Sequence, residues 1–363
     1  MHDITKRCLE KLESIIDEGH IQKTEEFQRR TFNFERVERI PVIIYYDVPE
    51  DEWPTYNFNE IFEDREKMLL SELKNIYTGA RLKDDRLYGI RANYGTGIIA
   101  SIFGCPVHTF KNALPCATAA GDIDKIREIV DKGIPGIYAG ICRKALETIS
   151  YFKEVLGGYP MLNRYVGSML LDIQGTFDNA SIIWGSDIFL GIVDEPELVI
   201  NLMDIVTGTI KNIVVEHRRL DGWSIYEDGG DMRFIGGICL RNDSCINLSG
   251  EMYETYVKPF DRRLLNEFTG NIHFCGKAHQ WWERLLDMEG LKAINPYQSE
   301  FYDLKYMYPV CEKNKVAIFN WAAPLKEDEK ELIKTGLNRL VFTENFDTAR
   351  ELLEKAHNTG WVD

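Results

Sequence analysis

A histidine and a cysteine lie two residues apart in the segment from Asn271 to Lys277. The apolar residues around His273 predict a β-strand that ends near Cys275. Side chains two positions apart on a strand point to the same face, so the imidazole and the thiol are expected side by side. Nitrogen and sulfur donors in that arrangement are natural zinc ligands. The alternative interpretation is a hydrogen-bonded core histidine and a cysteine that packs as a small apolar side chain.

A zinc site needs at least one further protein ligand. Glu344 follows the last predicted strand, so we expect it at the same rim, and a carboxylate is a suitable third ligand. Asp228, Asp231 and Cys239 could reach that rim from another strand, or belong to a solvated turn. Cys311 precedes a predicted strand and is expected at the opposite end.

The elements that would position these residues are clearest in the C-terminal third. Four short apolar runs begin about 20 to 25 residues apart, which is the length of one β-loop-α unit. Each intervening predicted helix is followed by a glycine that would end it. The helices are predicted over 281–288, 326–334 and 348–357, and the glycines are Gly290, Gly336 and Gly360. The four predicted strands are Ile272–Phe274, Leu291–Ile294, Val316–Phe319 and Leu340–Phe342.

The rest of the chain extends this pattern. Apolar spacing predicts a helix over residues 3–30 and another from Pro196 to about Arg218. Since no glycine-rich dinucleotide loop follows a strand, a closed (β/α)8 barrel is favoured over a doubly wound sheet. The earlier predicted strands are Arg39–Tyr46, Leu87–Ala92, Leu162–Val166 and Ser224–Glu227.

Composition excludes several classes of protein. The 363 residues include 43 Lys and Arg against 58 Asp and Glu, a formal charge of −15, which disfavours nucleic acid or an anionic membrane as a partner. We find neither a signal-peptide pattern nor about 18 uninterrupted apolar residues, so we expect a cytoplasmic protein. Eight dispersed cysteines predict reduced thiols.

The motif His273–Gly276 resembles the zinc-binding His-x-Cys-Gly of the uroporphyrinogen decarboxylase superfamily, within its corrinoid-dependent methyltransferase branch of the methylcobalamin:coenzyme M type. The resemblance runs from about Glu35 to the C-terminus. It implies a single (β/α)8 TIM-like barrel domain over residues 1–363, with a helical extension over residues 1–35. Supporting stretches are Gly175–Asp178, Trp184–Gly185, Asp194–Glu197, Leu248–Tyr253 and Lys258–Phe260.

Two departures from the family pattern bear on function. The decarboxylases carry an Arg-Gln-Ala-Gly-Arg stretch that grips substrate carboxylates, whereas this chain has the acidic segment Asp47–Asp51. Like charges in a poorly solvated cleft are costly, which argues against a porphyrinogen substrate. The methyltransferases supply a third zinc ligand, a cysteine, after the final strand, where this chain has Thr343, Glu344 and Asn345. Either Glu344 replaces the cysteine or the metal site is altered.

The resemblance implies a zinc-dependent methyltransferase that works with a corrinoid on a separate partner protein, because the chain has no Asp-x-His-x-x-Gly cobalamin segment. Zinc held by His273, Cys275 and Glu344 would activate either an acceptor thiol or the leaving atom of a small-molecule methyl donor. The carboxylate favours the second direction, demethylation of a donor. A homodimer is a further expectation from the family.

Other polar residues follow predicted strands and are candidates for the pocket wall, although each is as well explained by packing. Asp231 is also a candidate catalytic residue. Two alternatives stay open: a cofactor-free decarboxylase, and a catalytically silent barrel that binds a tetrapyrrole or corrinoid. The wall candidates are Arg91, Asn93, Tyr94, Asn163, Tyr165, Asp231 and Asn320.

Overall fold

The computed structural model describes residues 1–221 and 231–362. Helices and short strands alternate along most of the described chain. The strands are β1 Val42–Tyr46, β2 Tyr88–Ile90, β3 Val107–His108, β4 Cys116–Ala117, β5 Val166–Ser168, β6 Cys239–Arg241, β7 Gly270–Phe274, β8 Leu291–Pro296, β9 Ala317–Trp321 and β10 Leu337–Thr343. The helices are α1 Asp3–Ile15, α2 Glu18–Phe32, α3 Phe58–Glu63, α4 Arg65–Leu82, α5 Ile98–Ile102, α6 Ile123–Lys132, α7 Gly140–Leu156, α8 Pro160–Tyr165, α9 Thr176–Trp184, α10 Ile188–Asp194, α11 Pro196–Asp221, α12 Gly250–Tyr256, α13 Lys258–Phe268, α14 Leu304–Lys313, α15 Glu327–Leu332 and α16 Phe346–Thr359.

Six parallel strands form the central sheet, in the order β1-β10-β9-β8-β7-β6. A parallel pair, β2 and β5, stands apart from it, and β3 and β4 form a small antiparallel pair. The last strand pairs with the first, as a (β/α)8 barrel requires. The fold is therefore mixed α/β with a central parallel sheet, consistent with a TIM-like fold; barrel closure itself stays a prediction.

The two faces of the sheet pack into different cores. On what we term the inner face, side chains of four strands form a small apolar cluster: Ile43, Ala293, Phe319 and Leu340. On the other face, Ile44, Ile272, Phe274 and Ile294 join the main core with the helices. Because strand side chains alternate, Arg241, His273 and Asn295 lie on the inner face.

The predicted C-terminal strands are confirmed at β7 to β10, with shifts of a few residues at their ends. The predicted helix over 281–288 is wrong in extent, because only a 3-10 turn forms at Trp282–Leu285. The predicted helices over 326–334 and 348–357 are observed as α15 and α16.

Three earlier predictions need correction or fall outside the description. The helix predicted over residues 3–30 is two helices, because the carboxylate of Asp17 accepts a hydrogen bond from His20 N (3.1 Å) and starts α2. The strand predicted at Leu162–Val166 begins only at Val166, since α8 with Pro160 in its first turn precedes it. The segment Ser224–Glu227 lies outside the described residues.

Helix α11 is long and apolar enough, by composition, to span a membrane, and 56% of its apolar window is buried. It packs against α7, α9 and α13. Burial of this kind is typical of a core helix, so α11 is weak evidence for a membrane span. The cytoplasmic location stays a prediction.

Buried His217 of α11 gives a test of the packing. Burial lowers its pKa from 6.5 to about 4, so the unfolded chain takes up a proton between these values that the folded chain excludes. We therefore expect stability to fall as the pH drops from about 6.5 to about 4. Between pH 7.5 and 4.5, wild type should lose about 2 to 3 kcal/mol more unfolding free energy than His217→Gln. Urea unfolding of both proteins measures this, and equal losses would contradict the packing.

Candidate metal centre

Strands β6 and β7 bring together a carboxylate, an imidazole and a thiol. Arg241 lies opposite His273 in the parallel register, and Asp243 and Cys275 each follow two residues later. The Cys275 Sγ atom is 3.4 Å from His273 Nε2, which is 3.5 Å from Asp243 Oδ1. All three ligand atoms lie within 4.8 Å of one another. The predicted pair is therefore part of a three-residue cluster at the carboxyl edge of the sheet.

The spacing of these atoms fits zinc. Ligands at about 2.05 Å (N or O) and about 2.3 Å (S) from a tetrahedral zinc ion are separated from each other by about 3.3 to 3.6 Å. The two observed separations, 3.4 Å from sulfur to nitrogen and 3.5 Å from nitrogen to oxygen, fall within this range. Three protein ligands with one position left for substrate are typical of a catalytic rather than a structural site. The residues present thus fit a catalytic zinc ion.

The hydrogen bonds of His273 leave the correct nitrogen for a metal. Its Nδ1 atom lies 2.6 Å from Asn295 Oδ1, and Asn295 Nδ2 donates to Phe319 O (2.7 Å). The second bond fixes the amide so that Oδ1 is the acceptor, which places the imidazole proton on Nδ1. The Nε2 lone pair then points into the cluster. A hydrogen bond to the ring nitrogen that does not bind the metal is the usual way in which metal-binding histidines are oriented.

Burial sets the protonation of the two predicted ligands. It lowers the pKa of His273, so the imidazole is neutral at pH 7. Burial, and the charge of Asp243 after it, raise the pKa of Cys275 to about 12. The thiol therefore keeps its proton in the metal-free protein, and a bound divalent cation would displace it.

Glu344, the carboxylate predicted as third ligand, is not brought to this cluster. It is exposed and lines a separate surface cavity with Tyr46 and Arg81. The physical reason is that β10 ends at Thr343 and Asn345 then caps α16, accepting a hydrogen bond from Thr348 N (3.0 Å). Asp243 supplies the nearby carboxylate instead.

Asp231, the other predicted catalytic carboxylate, lies in a separate buried polar group near β1. It accepts hydrogen bonds from the Tyr45 hydroxyl and from Asn75 Nδ2 (3.0 Å). Burial raises the pKa of Asp231, and the Arg86 guanidinium opposes this effect. Asp231 is not a member of the Asp243–His273–Cys275 cluster. A catalytic role for Asp231 stays a prediction.

Of the predicted wall residues, Arg91 shares a carboxylate with Arg241, the residue opposite His273. Its guanidinium is 3.8 Å from Asp172, which also pairs with Arg241 at 2.9 Å. Asn93 Nδ2 donates to Glu72 Oε1 (3.3 Å), and Arg91 N donates to Glu72 Oε2, the other oxygen of that carboxylate (2.9 Å). Arg241, on the strand beside His273, thus connects Arg91 to the centre through Asp172.

The other wall candidates make their side-chain or backbone contacts outside the Asp243–His273–Cys275 cluster. Tyr94 is fully buried, with its hydroxyl 2.9 Å from Thr148 Oγ1 in α7. Asn163 and Tyr165 lie on α8, before β5 begins, and the Tyr165 hydroxyl donates to Glu18. Asn320 lies on β9 and its backbone N–H donates to Asn338 Oδ1 (2.8 Å).

Sequence reasoning missed Asp243, Arg241 and Asn295. The signal for Asp243 was a short run, Cys239–Asp243, in which apolar residues give way to polar ones at a strand end, as they do after His273. Of the other ligand candidates, Cys239 is buried at the start of β6 and Cys311 is buried in α14. Asp228 lies outside the described residues.

Comparison with known proteins adds one finding. No family model matches the chain, and no curated protein matches it by sequence. Among solved structures, the fold is similar to that of a methyltransferase from Methanosarcina mazei, with a TM-score of 0.64 and 14% sequence identity. The match covers 92% of this chain and 98% of that chain. At this identity the similarity establishes the fold.

The cluster makes a prediction about the ligand set. We expect wild type to bind about one zinc ion per chain, and Asp243→Ala, His273→Ala and Cys275→Ala to bind it at least about 100-fold more weakly, because each removes a ligand atom. Glu344→Ala is the matched control and should bind zinc as wild type does. Competition against a chromophoric chelator measures this. Zinc loss in Glu344→Ala with retention in Asp243→Ala would restore Glu344 as the third ligand.

Proposed function

We propose that this protein is a zinc-dependent methyltransferase that moves a methyl group between a small molecule and the cobalt of a corrinoid on a separate protein. The observation that carries the proposal is the cluster of Asp243, His273 and Cys275 at the carboxyl edge of the parallel sheet. Catalytic groups of TIM-like enzymes lie at that edge. The fold similarity to a methyltransferase and the His-x-Cys-Gly motif support the same function.

The chain's own residues have distinct tasks in this function. A zinc ion in the cluster would supply Lewis acidity toward the thiol or the leaving atom of the small molecule. His273, held by Asn295, offers a neutral nitrogen, and Cys275 offers sulfur once its proton is lost. Asp243 contributes a negative charge and also accepts a hydrogen bond from Cys275 N (2.7 Å), so it fixes the loop that carries the thiol.

The donor set favours demethylation of a small-molecule donor over methylation of a thiol. The ligand set here has one thiolate, one imidazole and one carboxylate, whereas the family set has two thiolates and one imidazole. With only one thiolate, less negative charge lies on sulfur around the metal. Such a site suits oxygen or another hard leaving atom. Asp243 supplies the carboxylate that Glu344 was expected to supply.

The centre is open to a second molecule on one side. The side chain of Asp243 is 37% exposed, and residue Tyr297, which is 49% exposed, has its ring 5.6 Å from the His273 ring. A partner-borne corrinoid must bring its cobalt to within reach of the methyl group. An exposed carboxyl edge is compatible with that approach.

Decarboxylation of an acidic substrate is the second candidate. The observation in its favour is the pair of arginines, Arg91 and Arg241, beside Asp172. Guanidinium groups bind carboxylates through two parallel hydrogen bonds. A decarboxylase of this kind would need no metal.

Cobalamin spectroscopy tests the proposal. Zinc-loaded protein is mixed with methylcobalamin and a panel of thiols, or with Co(I) cobalamin and a panel of methyl ethers, amines and thioethers. In at least one arm we expect a change of the cobalamin spectrum about 100-fold faster than without protein, lost in His273→Ala and Cys275→Ala because the metal is lost. Cys116→Ser, which removes an exposed free thiol, is the matched control and should behave as wild type.

Two results would contradict the proposal. Wild type that binds zinc but changes no cobalamin spectrum in either arm argues for a silent binding protein. Release of CO2 from an acid by metal-free protein, abolished in Arg241→Gln, supports the decarboxylase.

A further inference from the structure

The segment Gly175–Asp178 leads into α9 and contacts the chain directly after β6. Gly175 N donates to Arg241 O (2.7 Å). Thr176 Oγ1 donates to one carboxylate oxygen of Asp261 (2.7 Å), and Asn242 Nδ2 donates to the other (2.7 Å). The segment therefore contacts Arg241 directly and is joined to Asn242 through Asp261.

No space separates the two segments. A Cβ atom on Gly175 would lie 2.1 Å from Asn242 Oδ1 and 2.4 Å from Arg241 O. Since neither separation is sterically allowed, only glycine permits this approach of α9 to β6. The contact is thus a close backbone packing and fixes the end of the strand.

Asp178 extends the contact to the metal-binding loop. Its Oδ1 atom accepts hydrogen bonds from both Ser244 N (2.9 Å) and Ser244 Oγ (2.9 Å). Ser244 directly follows Asp243, whose Oδ1 atom accepts from Cys275 N (2.7 Å). A continuous series of contacts joins Asp178 through Ser244 and Asp243 to Cys275.

We propose that Asp178 is a positioning residue of the metal centre: by holding Ser244, it keeps the Asp243 carboxylate facing His273 and Cys275. The proposal rests on the proposed zinc site and assigns a role to the Gly175–Asp178 motif. Removing a group that holds a metal ligand in place typically weakens metal binding by about 10- to 100-fold.

Asp178 holds Ser244 through a single acceptor atom, Oδ1. It is buried, and its Oδ2 atom has no hydrogen-bond partner among the residues that the structure describes. Burial raises the pKa of Asp178 to about 8, so the carboxyl is mostly neutral at pH 7. Asparagine keeps a neutral acceptor oxygen at the same position and should replace it.

The test compares zinc and cobalt(II) binding at pH 7 in four proteins. Asp178→Ala should bind zinc about 10- to 100-fold more weakly than wild type, and its Co(II) absorption spectrum should show altered coordination. Asp178→Asn should stay within about threefold of wild type, with an unchanged Co(II) spectrum. Glu13→Ala is the matched control, because Glu13 also accepts from two backbone N–H groups, those of Met161 and Leu162 (2.8 and 2.9 Å).

Ser244→Ala provides a second variant if Asp178→Ala does not fold. It removes one of the two hydrogen bonds to Asp178 and keeps the backbone one, so a few-fold loss of zinc affinity is expected. Zinc affinity equal to wild type in both Asp178→Ala and Ser244→Ala overturns the proposal.

Failure of the zinc site itself gives a different result. If wild type binds neither metal ion, the proposed function fails, and crystal structures of wild type and a folded variant then decide the positioning role. An Asp243 Oδ1 to Cys275 N distance that stays near 2.7 Å in the variant overturns it; loss of that contact supports it.

Discussion

The parallel register of β6 against β7 is the constraint on which the candidate centre depends. Backbone hydrogen bonds place Arg241 opposite His273, and the residues two positions later, Asp243 and Cys275, then meet where both strands end. A shift of one residue would turn His273 away from the inner face, because strand side chains alternate. Apolar Leu240, Ile272 and Phe274 in the main core hold that register.

Neighbouring polar groups orient the ligand side chains that the strand register brings together. Asn295 on β8 fixes the imidazole tautomer, and Asp178 in α9 holds the residue next to Asp243. Buried polar groups of this kind are stable only with hydrogen-bond partners in defined positions. The centre therefore draws on three consecutive strands and one helix, which explains how a cluster of partly exposed ligands keeps a defined geometry.

The fold and the chemistry carry separate information. The chain shares its fold with a methyltransferase at 14% identity, which shows how far sequences diverge on one parallel-sheet scaffold. Function on such a scaffold follows from the groups at the carboxyl edge of the strands. Here these are an N, S and O donor set with two arginines nearby, in a chain with a formal charge of −15. That local balance, rather than the net charge, defines the chemistry of the site.

The sequence by itself determined the parallel α/β class, strands β1, β2 and β7 to β10 and the pairing of His273 with Cys275, because apolar periodicity and strand alternation are local properties. It did not locate β6, and it assigned the third ligand to Glu344. Ligand positions on different strands depend on register and on where each strand ends, which are set by long-range hydrogen bonds and by local capping. Only the tertiary structure could decide that Glu344 lies exposed between the end of β10 and the start of α16, while the end of β6 brings Asp243 to His273 and Cys275.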